Sequence, residues 1–369
     1  MYGDVSREEV VLERLVIDDV IGRARCIAGR ATTCWKVHRE DDPRTPLVVK
    51  DSWQYPERDE EESGVTNVAR YYHHETVRIN GNSDDILGIR RGLNIPTLKS
   101  RQSSVKPTTS RTRSRRGRKD QDSALGRKRS SDFKFSNQIP YKQHPTPLNR
   151  VHRRVTVQDY GKPIYESSSR VALLAGLEGC IKGYDSLYRS AGMIQCDISP
   201  RNLLVNKDDD NASWRAFLID LDLAIRVERD GFSGARGKTG TRAFMAVGVL
   251  YGEKHSFMHD LESFFWVLFW ICIHYHGPGK GRVVERFEEW NYVNTEKLAD
   301  EKKGVVSDEG DFLRIAEENF TPYQPLRSWV NRLRRVVFPD GGRWKKLNLH
   351  LSSEMMDVLQ SAQSDPNVI

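Results

Sequence analysis

Residues 98–150 limit what this chain can fold into more than any other stretch. They carry fifteen Lys or Arg against three Asp, a net charge of +12. Between Lys99 and Ser131, only Val105, Ala124 and Leu125 belong to the aliphatic and aromatic set. Such a segment cannot bury enough surface to offset its ordering entropy, so it is expected to be disordered. Any core must then be assembled from the blocks on either side of it. The chain as a whole, 369 residues with a net charge of +7, looks basic only because of this segment. The other 316 residues hold 43 basic and 48 acidic side chains, which makes the body mildly acidic. Nuclear import, non-specific nucleic-acid contact and phosphoregulation at the Ser-Arg pairs all fit the segment, and so does a plain solvated linker.

Other patterns exclude whole classes. The longest unbroken apolar run, Phe264 to Ile273, has ten residues. That is too short to cross a bilayer and reads as a buried helix. The start of the chain has no basic stretch followed by an apolar one, so no secretory signal is expected. The five cysteines, Cys26, Cys34, Cys180, Cys196 and Cys272, never fall within six residues of each other. No C-x-x-C zinc or redox pair exists, and a reduced intracellular protein is expected, cytoplasmic or nuclear.

Before the basic segment, Val16–Ile21, Cys34–His38 and Pro46–Lys50 have β-branched character with turn residues between them, which predicts strands. Arg154–Asp159 is a further strand after it. The spacing of Leu173, Leu174, Leu177, Ile181, Tyr184, Leu187 and Tyr188 predicts a helix over residues 169–190, with serines before it and Gly192 after it. A second long helix is expected from about His259. His255 and His259 lie four apart, but a zinc site needs further ligands.

The chemistry concentrates after the first helix. Gln195-Cys196-Asp197 is followed by Asn202 in a turn that leads into the apolar strand Leu203-Leu204-Val205. A second apolar strand, Ala216–Ile219, ends in Asp220-Leu221-Asp222. Carboxylates at strand ends are costly to bury alone. They suit a divalent cation held by oxygen ligands, with the Asn amide as a neutral ligand. An Asp in the turn can orient an attacking hydroxyl. Phosphoryl transfer needs those parts and little else: positioning, charge neutralisation and a base.

Asp197-x-x-x-x-Asn202 resembles the catalytic loop H-R-D-x-x-x-x-N, Asp220-Leu221-Asp222 resembles D-F-G, and Val48-Val49-Lys50 resembles V-A-I-K. Gly240–Ala246 is similar to the end of an activation segment, and His259–Ser263 to the start of the helix that anchors a kinase C-lobe. In order and wording, residues 16–339 resemble the fungal-type protein kinase family. The resemblance implies an α+β, bilobal protein-kinase-like fold. Residues 1–97 would be the first part of a β-rich N-terminal lobe and 98–150 the disordered insertion. Residues 151–163 would supply the last N-lobe strand and hinge, and 164–369 a helical C-terminal lobe. It implies ATP and Mg²⁺ as cofactors, Asp197 as catalytic base, Asn202 and Asp220 as metal ligands, and Lys50 on the ATP phosphates. Asp260 would brace the catalytic loop.

Several positions depart from that pattern. Gly29-Arg30-Ala31-Thr32-Thr33-Cys34 keeps only the first glycine of the phosphate loop, so Gly29 is its cofactor-binding candidate. Side chains at Ala31 and Cys34 hinder close backbone approach to phosphates. Cys196 replaces the loop arginine, and A-P-E reads Ala246-Val247-Gly248, without its Glu. Glu61 is the candidate partner for Lys50, in the short stretch before Ser63-Gly64. Asp222 stands at the D-F-G glycine and reads as an exposed strand-end carboxylate, the alternative being a third metal-site carboxylate. The implied activity is phosphorylation of Ser/Thr in a protein substrate. The alternatives are a catalytically impaired pseudokinase used as a binding or scaffold module, and a small-molecule phosphotransferase.

Overall fold

The computed structural model describes residues 13–24, 30–54, 65–91, 149–227 and 240–369. The disorder expected for 98–150 therefore falls outside the described residues, apart from Asn149 and Arg150. The chain divides into one unit of residues 1–84 with 150–369 and a second of residues 85–149. In the second, Asp85 caps a single helical turn, Ile86–Ile89.

The first unit begins with an antiparallel sheet. Its strands are β1 (Leu15–Arg23), β2 (Thr33–Arg39), β3 (Asp42–Gln54), β4 (Tyr71–Thr76) and β5 (Val151–Val157), ordered β1-β2-β3-β5-β4. Val37, Leu47 and Val49 form its small core, with Leu15, Trp35 and Tyr72 packed against it. Lys50 was expected at a strand end. Instead β3 runs four residues further, with Lys50 opposite Cys34 on β2 and Val155 on β5. Lys50, Ser52 and Gln54 share one face of the pleat. The buried Gln54 has side-chain partners there, which lets a polar stretch continue the strand.

The remainder is mainly helical around one large apolar core. Helix α1 (Arg170–Ala191) starts at Ser169, whose side chain accepts from the Ala172 N–H, and stops at Gly192 in the left-handed region, φ 63°. Both ends match the sequence expectation. The strands β6 (Leu203–Val205) and β7 (Ala216–Leu218) form a hairpin against this helix. Gly176 and Gly179 permit the contact. A Cβ would come within 2.6 Å of Val205 Cγ1 at the first and 2.8 Å of Ala216 Cβ at the second. Helix α2 (Phe257–His274) holds the ten-residue apolar run. It is apolar nearly all round because other elements cover it on every side. His259 and Ser256 form its capping box. Helices α3 (Thr295–Ser307), α4 (Glu309–Asn319), α5 (Arg327–Val337) and α6 (Leu351–Gln363) complete the packing. Among the described residues, no helix is long and apolar enough to cross a membrane.

The last residue of α2 sets an acid limit. His274 is buried against Trp270, and its Nδ1–H donates to the Arg282 carbonyl at 3.2 Å. Burial pushes its pKa down to about 4. The folded state thus favours neutral imidazole, while the unfolded chain protonates near 6.5. The stabilisation is complete above 6.5 and is lost as pH falls towards 4, up to roughly 3 kcal/mol. In urea unfolding at a series of pH values, His274→Asn should flatten that decline. An unchanged acid slope would refute the assignment.

Candidate active site

The loop after α1 is built around strain and its compensation. Cys196 lies at φ 65°, unusual for a residue other than glycine. Its N–H donates to Asp260 Oδ2 at 3.0 Å, and His255 Nε2 holds the other oxygen of Asp260 at 2.6 Å. Asp260, on the first turn of α2, thus braces the loop as the sequence implied. Gln195 stands where the motif has histidine, and its Nε2 donates to the Ile219 carbonyl at 2.7 Å. Asn202 Nδ2 donates to the Asp197 carbonyl at 2.9 Å, and the Ile219 N–H donates to the Asn202 carbonyl at 3.0 Å. The turn carrying Asp197 and Asn202 is therefore tied to the residue just before Asp220.

Asp197 is buried, and Oδ1 accepts two bonds from Thr241: from the N–H at 2.8 Å and from the hydroxyl at 3.0 Å. Gly240 makes this approach feasible. It lies at φ 107°, and a Cβ there would sit 2.8 Å from the Cys196 carbonyl oxygen. Burial pushes the Asp197 carboxyl up to about 6, although the Thr241 bonds oppose it.

Lys50 reaches this loop from the sheet. Its Nζ lies 2.8 Å from Asp220 Oδ1 and 2.8 Å from Asp222 Oδ1. Arg30, just before β2, adds a second cation. Its Nη1 is 3.1 Å from Asp222 Oδ2 and 3.5 Å from Asp220 Oδ1. Gln54 Nε2 donates to Asp222 Oδ1 at 3.2 Å. Two cations and two carboxylates balance in one cluster, so burying them is tolerable. Burial disfavours the Lys50 charge, but Asp220 and Asp222 outweigh it and raise its pKa. Burial likewise works against the Asp220 charge, yet Lys50 and Arg30 hold its carboxyl below the ordinary range.

One expectation is corrected here. Asp222 is not an exposed strand-end carboxylate. Its side chain is only 7% exposed, because the turn Leu221–Leu223 directs it onto Lys50 and Arg30. Arg30 and Gln54 were not read from the sequence as site residues. Arg30 stands in the degenerate phosphate loop, and nothing marks a strand glutamine as buried. Gly29 and Glu61 lie outside the described residues. Of the candidates within them, Lys50, Asp197, Asn202 and Asp220 come together from three separate segments: the strand β3, the turn after α1 and the end of β7. The Asp220 carboxylate and the Asn202 amide are hard oxygen donors, a set that suits Mg²⁺.

A family model described as fungal protein kinase matches residues 3–272, well over half of the chain. The chain belongs to that family. No curated protein shows a significant match. The matched span holds every site residue named above. A supporting pair of side chains straddles its end. The A-P-E glutamate is absent, but Glu262 of α2 accepts from the Val247 N–H at 2.7 Å and from Trp266 Nε1 at 3.0 Å. Lys302 of α3 donates from Nζ to the Met245 carbonyl at 2.7 Å and sits over the Trp266 and Trp290 rings. The two side chains hold the backbone after Thr241 from both sides. Burial raises the Glu262 carboxyl and lowers the Lys302 ammonium, while each favours the charge of the other.

Proposed function

We propose that this chain is an ATP- and Mg²⁺-dependent protein kinase with the bilobal protein-kinase-like fold, acting on Ser/Thr hydroxyls. The observation that carries the reading is that Lys50 meets Asp220, while the Ile219 N–H just before Asp220 and the Asn202 amide tie that strand end to the turn bearing Asp197. Bound Mg²⁺ supplies neutralisation of phosphate charge. Asp220 and the Asn202 amide oxygen would hold it, and Lys50 would orient the nucleotide phosphates. Asp197 would accept the proton of the attacking hydroxyl as its oxygen bonds to the γ-phosphorus and the bond to ADP breaks. The Thr241 hydroxyl, 3.0 Å from Asp197 Oδ1, supports Ser/Thr: an aliphatic alcohol fits beside that carboxylate.

A second reading, a binding module on the same fold, is favoured by Arg30, whose guanidinium rests on Asp220 and Asp222. Thermal melting separates the two. Mg-ATP at about a hundred times its Kd adds about 2.7 kcal/mol to stability. For a protein of this size that raises the melting temperature by roughly 5 °C. Asp220→Ala should abolish the metal-dependent part. No shift in the parent, and an Asp220→Ala variant that matches it, would leave the binding module.

A further inference from the structure

We propose, resting on the kinase reading above, that Asp222 is the positioning residue of Lys50, the role the resemblance gave to Glu61. The two carboxylates divide the work. Asp220 and Asp222 both stand 2.8 Å from the ammonium. A carboxylate that takes a divalent cation shares its charge with that cation and holds a lysine less firmly. Once Asp220 serves the metal, Asp222 is the carboxylate that still fixes Lys50.

Asp222 is held for that task. Its Oδ1 faces Lys50 and Gln54 Nε2, the latter at 3.2 Å, while Arg30 occupies Oδ2 at 3.1 Å. Gln54 Nε2 also donates to Ser52 Oγ at 3.2 Å. Lys50 and Gln54 lie four residues apart on one face of β3, so a single strand carries both groups that grip Oδ1. A rigid strand positions side chains more tightly than a loop does. A glycine at this point, as in D-F-G, offers no such group.

The test measures ATP binding to the full chain by calorimetry, over a Mg²⁺ titration. Asp222→Asn should weaken ATP binding at saturating Mg²⁺ by about ten-fold or more, the scale of coupling between contacting charged groups. The Mg²⁺ concentration at half-saturation should stay at the parent value. Because Asp222 acts through Lys50, Lys50→Met with Asp222→Asn should bind no more weakly than Lys50→Met alone. Glu61→Gln should bind as the parent does. Unchanged affinity in Asp222→Asn overturns the proposal. So does a raised Mg²⁺ requirement, which would make Asp222 a metal ligand, and so does an equal loss in Glu61→Gln. If Asp222→Asn does not fold, Lys50→Met with Asp222→Leu removes both charges and should fold. A pair that also fails to fold gives Asp222 a purely architectural role and overturns the proposal. A parent that binds no ATP at any Mg²⁺ concentration instead sinks the kinase reading, and the proposal with it.

Discussion

Asp197→Asn should lower phosphotransfer by about two to four orders of magnitude, the range for a positioned general base. The substitution keeps an acceptor oxygen for the two Thr241 bonds, so the loop stays in place. What it removes is the capacity to take a proton. Stabilisation by Mg-ATP should therefore match the parent, because the proposed mechanism assigns the nucleotide side of the site to Lys50, Asp220 and Asn202. Rate and melting are measured on the same preparations. Equal rates in parent and variant would mean that Asp197 serves only to hold Thr241. A lost nucleotide shift would mean that it belongs to the binding half of the site. The cleanest support is a variant that binds like the parent and does not turn over.

Lys302→Met should be among the most destabilising single changes in the helical part. Lys302 is fully buried, with its Nζ on the Met245 carbonyl and two tryptophan rings beneath it. Methionine matches its volume, so packing changes little. The loss is electrostatic. A carbonyl is left without its donor, and Glu262 is left buried without the cation that favours its charge. Leaving a buried acceptor without its donor costs about 1–3 kcal/mol, and the nearby buried Glu262 charge, which Lys302 favours without touching, adds to it. Adding Glu262→Gln should recover part of it, since an amide keeps an acceptor for the Val247 N–H without the charge. Denaturant unfolding of the four proteins in the cycle reads both numbers. A loss below about 0.5 kcal/mol for Lys302→Met, inside the range of ordinary surface changes, would refute this role for Lys302. Activity gives a second readout. The backbone these residues hold follows directly from Thr241, so a folded Lys302→Met protein should also lose turnover.

Much of the fold was legible because its signals are local. Ser169 and Gly192 bracket α1 because a cap needs only its own turn to work. The ten apolar residues of α2 announced their burial by composition alone. The catalytic-loop spacing of Asp197 and Asn202, and Asp220 at the end of an apolar strand, were legible as an ordered set of motifs. The family match confirms their family.

The partners were not legible. Asp222 read as exposed because a strand-end aspartate usually is, and only the sheet folding over it reverses that. Lys50 read as a strand-end residue because the polar run after it gives no periodic signal. The strand continues because Gln54 meets Asp222, a residue 168 positions away. Nothing in the sequence distinguishes Lys302 from the chain's other lysines. Its burial comes from Met245 and the tryptophans, 57 positions away in the first case. By itself, then, the sequence determined which elements form and which chemical groups the turns present, because backbone propensity, capping and apolar spacing act within a few residues. The tertiary structure alone decided which charges neutralise each other. That choice depends on distance and burial, and both are set only when segments far apart in the chain exclude water together.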